Sequence, residues 1–162
     1  MKIFVFIIFL GLIISCSEKK QNSENVNNIS EATTIGLMFI NDYTKYQNDQ
    51  INNKGLNSDS NWVHNNIYST NNFKEKYKQI LLSALQEDPE LGLESDPIFD
   101  AQDFPDQGFK LTSFDSTTGY LVVSDIENDS FQVVLKMAKE NNKWLVDGCG
   151  TINVPEQYRA KR

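Results

Sequence analysis

Alternating apolar and polar residues in the C-terminal half of the chain predict an antiparallel β-sheet. The clearest strand covers residues 131–139, where Phe131 and Leu135 fall on one face and Gln132 and Lys136 fall on the other. Successive side chains of a strand point to opposite faces, so this segment predicts a sheet with one dry face and one wetter face.

Shorter segments rich in aromatic and β-branched residues predict three neighbouring strands, at residues 109–114, 119–124 and 144–146. Asn141 and Asn142 separate two of the strands, and asparagine tolerates the left-handed backbone of a two-residue hairpin turn. Because the connections are short, we expect a meander of about four strands, stable once another layer covers its dry face.

Apolar residues at helical spacing predict two helices before the sheet. The first covers residues 31–49, with Ser30 in position to cap it. The second begins after Ser69 or Thr70 and ends before Pro89, because proline disfavours helix in the preceding residue. Its apolar stripe consists of Phe73, Tyr77, Ile80, Leu81, Ala84 and Leu85. Two helices laid on the dry face of a curved sheet give an α+β fold.

The N-terminus carries an export signal. Residues 3–14 are apolar apart from one glycine and follow Lys2. As a helix they would span about 18 Å, against about 30 Å for the hydrocarbon core of a bilayer, which favours a signal peptide over a membrane span. The run ends at Ile13, Ile14, Ser15 and Cys16, and this tetrapeptide resembles the lipobox of bacterial lipoproteins. The resemblance implies cleavage before Cys16 and lipidation of that cysteine; the alternative is an ordinary signal peptide with an incidental cysteine.

These signals divide the chain into a signal peptide at residues 1–15, a tether at 16–33, one α+β domain at 34–155 and a tail at 156–162. The tether is polar and rich in asparagine, so we expect it to be flexible. Each buried methylene of an acyl chain contributes about 0.8 kcal/mol, so two or more chains, such as palmitate, on Cys16 would hold the protein at the membrane. We therefore expect the protein to be in the bacterial cell envelope; the sequence does not select between the inner and the outer membrane.

Composition narrows the range of partners. The chain carries 15 Lys and Arg against 22 Asp and Glu, a net charge of -7, and its basic residues form no cluster. Nucleic acid is therefore not an expected partner, because phosphate binding needs clustered cations. Electrostatic docking on anionic lipid is disfavoured for the same reason.

Residues 96–106 mix aromatic, aliphatic and acidic side chains, and we expect an ordered loop across the mouth between helices and sheet. With the export cysteine, the helix pair and the closing strand at Trp144, this loop resembles a family of small bacterial envelope lipoproteins of unknown function. The resemblance covers about residues 35–154, and its most specific part is residues 96–103. It implies a cystatin-like core, similar to nuclear transport factor 2 domains, and supplies no catalytic residue.

The candidate site consists of Asp96, Phe99, Asp100, Asp103 and Phe104. Our first hypothesis is a non-catalytic binding or accessory domain that uses them as a recognition surface for an envelope protein. The alternative is a small-ligand-binding protein or enzyme, with Asp100 or Asp103 as the acid/base carboxylate in a pocket between sheet and helices. A third hypothesis is an immunity protein that neutralises an envelope-acting toxin.

Other chemistry-bearing residues lead to no catalytic, metal or cofactor prediction. His64 is the sole histidine, and we interpret it as a surface or structural residue. The acids of residues 100–106 are of the type that binds hard cations, but their spacing does not match a calcium loop, and the acids of 125–129 are interpreted as solvated turn residues. If Cys16 is lipidated, Cys149 has no cysteine to form a disulfide with. Its thiol could then be reactive or buried, and its place between two glycines at a strand end favours burial.

Overall fold

Helices precede a four-stranded antiparallel sheet in the structure, a computed structural model that describes residues 17–52 and 59–161. The helices are α1 (Ser17–Asn52), α2 (Asp59–Asn65) and α3 (Asn71–Glu87). The strands are β1 (Phe109–Asp115), β2 (Tyr120–Asp125), β3 (Gln132–Glu140) and β4 (Lys143–Cys149). The predicted α+β class is confirmed, with α2 as a helix beyond the two predicted. The predicted signal peptide and Cys16 lie outside the described residues.

The sheet is a meander in which neighbours along the chain are neighbours in space, in the order β1-β2-β3-β4. All three pairings are antiparallel. Asn141 and Asn142, with φ of 48° and 64°, form the turn between β3 and β4, which confirms the predicted hairpin. Each predicted strand is present within a few residues of its predicted bounds.

Helix α1 lies across the dry face and contacts all four strands. Gly36 marks the closest approach, because a Cβ atom added there would overlap the side chain of Leu121 and lie 3.3 Å from Sδ of Met137. One and two turns further along, Phe39 and Tyr43 are fully buried. The core forms between this face of α1, the first half of α3 and the inward side chains of the sheet.

Residues outside the strands satisfy backbone groups at both edges of the sheet. At the β1 edge, the side-chain amide of Asn41 donates to the carbonyl of Phe109 at 3.0 Å and accepts from its N–H at 2.7 Å. At the β4 edge, Val146 donates to the carbonyl of Tyr68 at 2.8 Å and accepts from Thr70 N–H at 3.0 Å. These bonds occupy groups that would otherwise be open to pairing with another chain.

The start of α3 confirms the predicted cap, and its second half corrects the predicted stripe. The Thr70 hydroxyl accepts from the N–H of Phe73 at 3.0 Å and donates to the carboxylate of Asp147 at 2.8 Å. Phe73 and Tyr77 are buried as predicted, but Leu85 is 51% exposed. The helix packs on α2 and β4, and near its start the ring of Phe73 lies 5.4 Å from that of Phe39 on α1. Its last turns extend beyond these contacts, which leaves Leu85 uncovered.

The segment predicted as a flexible tether is helical over its described part. Residues 17–33 lie within α1 (Ser17–Asn52), so the helix does not begin near residue 31 as predicted. Adding residues to an established helix forms one hydrogen bond for each residue fixed, so the packed residues from Ala32 onward can nucleate a helix that extends through a polar segment. In the part of the chain that the structure describes, no helix has both the length and the apolar character needed to cross a membrane.

The segment predicted as a C-terminal tail packs on the second face of the sheet. Tyr158 stacks on Tyr120 of β2, with ring centroids 4.6 Å apart. Arg159 and Ala160 lie beside Val134, which is 6% exposed although it belongs to the face expected to be wetter. The chain therefore covers part of this face with its own last residues.

We expect Gly36→Val to lower the free energy of unfolding by about 1–3 kcal/mol, because the added methyl groups must displace buried side chains. Thr34→Val is the matched control, since it introduces the same side chain at an exposed position of the same helix. The control should change stability by no more than about 0.5 kcal/mol. Urea denaturation followed by circular dichroism measures both, and equal losses would contradict the close approach at Gly36.

Candidate functional site

The predicted site begins with a closed turn that we call the Asp96 turn, residues 96–101. Asp96 N–H donates to the carbonyl of Ala101 at 2.9 Å, and Ala101 N–H donates back at 3.4 Å. Asp100 adopts a left-handed backbone with φ of 56°. Ile98 and Phe99, between the two ends, are fully buried. The turn therefore inserts its tip into the core instead of presenting it to solvent.

The carboxylate of Asp96 holds this turn in place. Its Oδ1 accepts from the N–H groups of Ile98 at 2.7 Å and Phe99 at 3.0 Å. Its Oδ2 accepts from the hydroxyl of Tyr43 on α1 at 2.6 Å and lies 3.4 Å from Nε2 of Gln47. Hydrogen bonds to a charged acceptor are among the strong ones in proteins. We interpret Asp96 as the residue that fastens the turn to α1.

Phe99 lies inside an aromatic cluster. Its ring centroid is 5.0 Å from that of Tyr43, 5.0 Å from that of Phe104 and 6.0 Å from that of Phe109. The prediction that Phe99 belongs to a recognition surface is therefore wrong, since no part of its side chain is exposed. The physical reason is the Asp96 bond pattern, which turns the two following residues toward the core. Phe104 is half-buried and covers Phe99 from the solvent side.

The acids of this segment do not converge. Asp103 and Asp106 are exposed, whereas Asp100 is half-buried in the Asp96 turn. Among the residues that the structure describes, no group of three or more His, Cys, Asp or Glu side chains is arranged to hold a metal ion. His64 is exposed near the end of α2. Neither the predicted segment nor His64 assembles a recognisable catalytic set.

Cys149 is a free, fully buried thiol at the end of β4, as the flanking glycines favoured. Its Sγ donates to the carbonyl of Ile98 at 3.3 Å, and the N–H of Thr151 donates to the carbonyl of Pro97 at 2.8 Å. Burial raises the pKa of the Cys149 thiol well above its usual range, and the nearby charges of Asp96 and Asp100 add to the shift. A thiol kept neutral in this way is a structural donor, because the thiolate is the nucleophile.

An open cleft of about 420 Å³ lies on one side of the segment at residues 93–97, and we call it the Phe104 cleft. Asp96 and Phe104 line it together with Gln47 of α1 and Gln102. The structure thus brings two of the five predicted site residues to one cavity wall. Phe99 lies behind that wall, while Asp100 and Asp103 are not among the lining residues.

A second open cleft, of about 430 Å³, lies on the other side of the same segment, and we call it the α3 cleft. Ile80 and Ala84 of α3 form one wall, and Leu93 and Pro97 form the other. Sequence reasoning missed this site because it assigned the second half of α3 to the core. No signal in the sequence marked the cleft, because Ile80 and Ala84 both belong to the predicted apolar stripe.

We expect Asp96→Ala to lower the free energy of unfolding by about 3 kcal/mol or more, because the two N–H groups and the Tyr43 hydroxyl lose their acceptor. Asp96→Asn should cost less, since its amide oxygen can still accept. The control is Asp103→Ala, which removes an exposed carboxylate and should change stability by no more than about 0.5 kcal/mol. Urea denaturation measures all three, and an Asp96→Ala protein as stable as the control would refute the fastening role.

Cys149 should make stability decrease at alkaline pH. Below the ordinary thiol pKa of 9.0, folded and unfolded states both keep the proton and the full contribution is present. As the pH rises above that value, the unfolded thiol ionises while the buried thiol does not, so stability falls. Urea denaturation of the parent and Cys149→Ala across this range should show the larger alkaline loss in the parent. Identical pH dependences would contradict the raised pKa.

Comparison with known proteins assigns no role to any residue of the site. No family model, curated protein or solved structure matches this chain. The α+β class rests on the structure itself, and the resemblance to envelope lipoproteins with a cystatin-like core stays a prediction.

Proposed function

We propose that the protein is a lipid-anchored, non-catalytic binding module of the bacterial cell envelope, attached to the membrane through acyl chains on Cys16. The apolar run at residues 3–14 and the lipobox-like tetrapeptide that ends at Cys16 support the anchor. A second cysteine, Cys149, is buried and already engaged, which leaves Cys16 as the cysteine available for lipidation.

The observation that supports a non-catalytic function is that the Asp96 turn is hydrogen-bonded from both sides, by α1 and by β4. Asp96 accepts hydrogen bonds from four groups of the protein, and Cys149 donates to the same turn from β4. A general base must reach the proton it removes, and a nucleophilic thiol must ionise. Both side chains instead fix the turn between α1 and the sheet, which favours binding over turnover.

Helix α1 supports a particular form of attachment. It covers Ser17–Asn52, and Ala32 is the first buried residue among the side chains described from residue 29 onward. The 15 residues from Ser17 to Glu31 extend about 22 Å as a helix. Such a helix would hold the domain at a set distance from the lipid, where a flexible segment would allow a range of distances.

A small-ligand-binding protein is the second candidate, and the Phe104 cleft is the observation that favours it. Its wall combines the half-buried ring of Phe104 with polar side chains of Gln47 and Gln102. Apolar surface with a few converging polar groups is typical of ligand sites. The cleft is open to solvent, and the Asp96 carboxylate within it already has protein donors.

Cys16→Ser should abolish incorporation of radiolabelled palmitate and leave an unprocessed precursor, because the acyl acceptor is lost. Cys149→Ser is the matched control, since the chain has 2 cysteines and the other one is buried. Labelling of cells that express each variant, followed by gel fluorography of the purified protein, measures the outcome. Palmitate in the Cys16→Ser protein, or none in the parent, would refute the anchor.

A further inference from the structure

Three exposed leucines form one apolar patch, which we call the leucine patch: Leu82 and Leu85 of α3, and Leu91. Their exposed fractions are 52%, 51% and 78%. Leu82 and Leu85 are three residues apart on the helix and are therefore surface neighbours. A Cβ atom added to Gly92, the residue after Leu91, would lie 3.5 Å from Cδ2 of Leu85, so the turn after α3 continues the patch.

The leucine patch borders the α3 cleft through Leu85 and Leu91, while Leu82 lies on the side of the helix away from the cleft. Gly92 lines the cleft and is in reach of Leu85, while Leu91 precedes it in the chain. Ile80 and Ala84 of the helix contribute apolar surface to a cleft whose other lining residues include three acids. Exposed apolar side chains beside a concave surface are characteristic of protein docking sites, and scattered single leucines are not.

The chain around the α3 cleft carries only negative charges over a long stretch. Residues 79–109 contain no Lys, Arg or His. Their acidic residues are Glu87, Asp88, Glu90, Glu94, Asp96, Asp100, Asp103 and Asp106. Glu87, Asp88 and Glu94 line the α3 cleft itself. Arg159 approaches from the C-terminal segment, where it donates to the carbonyl of Thr151 at 3.3 Å, and one cation does not balance three carboxylates.

This combination selects among possible occupants. A second copy would place the same acidic rim against itself, since a two-fold interface pairs a surface with its own equivalent, and like charges repel. An anionic lipid surface would repel the rim as well. A protein segment that carries lysine or arginine beside apolar side chains satisfies both the leucines and the carboxylates.

We infer that the α3 cleft and the leucine patch bind a basic amphipathic segment of a partner protein. Apolar side chains of the segment enter between α3 and residues 91–97, and its cations meet Glu87, Asp88 and Glu94. The inference names the binding surface of the proposed module and so rests on the proposed function. Helix-in-groove recognition of this kind uses apolar anchors spaced along one face of the ligand helix.

The test uses the full chain in phosphatidylcholine nanodiscs and a fluorescent 18-residue amphipathic peptide of leucine and lysine. A peptide of the same pattern with glutamate in place of lysine is the charge control, and empty nanodiscs give the lipid background. Fluorescence anisotropy at low and high salt should show binding of the lysine peptide, weakened by salt, and no comparable binding of the glutamate peptide.

Two double variants locate the site. Leu85→Ser with Leu91→Ser should weaken binding about tenfold or more, since two buried anchors are lost. Glu87→Gln with Glu94→Gln should weaken binding and reduce its salt dependence. All four positions are exposed, so the fold should persist, and circular dichroism checks it.

Matched controls carry the same changes elsewhere on the surface. Leu111→Ser with Ile126→Ser alters residues that are 43% and 47% exposed, one in β1 and one in the connection after β2. Glu127→Gln with Glu140→Gln removes two exposed carboxylates of the strand ends. Both controls should leave binding within about twofold of the parent.

Several results would overturn the inference. The lysine peptide could fail to bind, the glutamate peptide could bind equally well, or the site variants could have the same effect as the control variants. Dimerisation in sedimentation velocity that Leu85→Ser with Leu91→Ser abolishes would assign the surface to a second copy. Binding to phosphatidylglycerol vesicles that the same variant abolishes would assign it to lipid. Palmitate labelling of Cys16 is independent of all these measurements, so failure of the docking inference and failure of the anchor are distinguishable.

Discussion

The hydrogen bonds to the Asp96 carboxylate fasten the Asp96 turn to helix α1, and the remainder of the fold depends on them. Two of them close the Asp96 turn on itself, and the bond from Tyr43 ties the turn to α1. From the other side, Cys149 and Thr151 bind the carbonyls of Ile98 and Pro97. A connection between a helix and a sheet has thereby become part of the core. The placement of Phe99 among aromatic rings depends on this carboxylate.

Helix α1 supplies the surface on which these contacts are built. It approaches the sheet most closely at Gly36, pairs with the edge of β1 through Asn41 and holds Asp96 through Tyr43. These three positions fall within the same two turns. The helix therefore fixes the sheet and the Asp96 turn relative to each other. Its N-terminal part leads back to the residue that follows Cys16.

The contrast between polar groups already hydrogen-bonded within the fold and side chains left exposed to solvent supports a binding function. The segment that carries the family resemblance is largely occupied with holding the core together. The surface left open lies next to it, where the last turns of α3 and residues 91–97 enclose an acidic and apolar cleft. Leu85, Leu91 and the carboxylates of Glu87 and Glu94 are exposed and available to a partner. The Asp88 carboxylate adds its charge to the cleft, although it also accepts from the N–H groups of Glu90 and Leu91. The proposed anchor and the proposed docking surface are separate in the sequence, one at Cys16 and the other in the last turns of α3 and the residues that follow it.

The sequence by itself determined the features that depend on near neighbours. Strand alternation, the Thr70 cap and the Asn141–Asn142 turn are set by the period of a strand, one side-chain hydrogen bond and a left-handed backbone, and all three were predictable. Burial on the face of Val133 and Leu135 follows from the same alternation. Only the tertiary structure decided that Phe99 is buried and Leu85 exposed, because both outcomes depend on which distant element packs against the residue. The period of a helix shows which side chains share a face, but the position of Tyr43 against Asp96 and the extent of the sheet beneath α3 decide which of them lose contact with water.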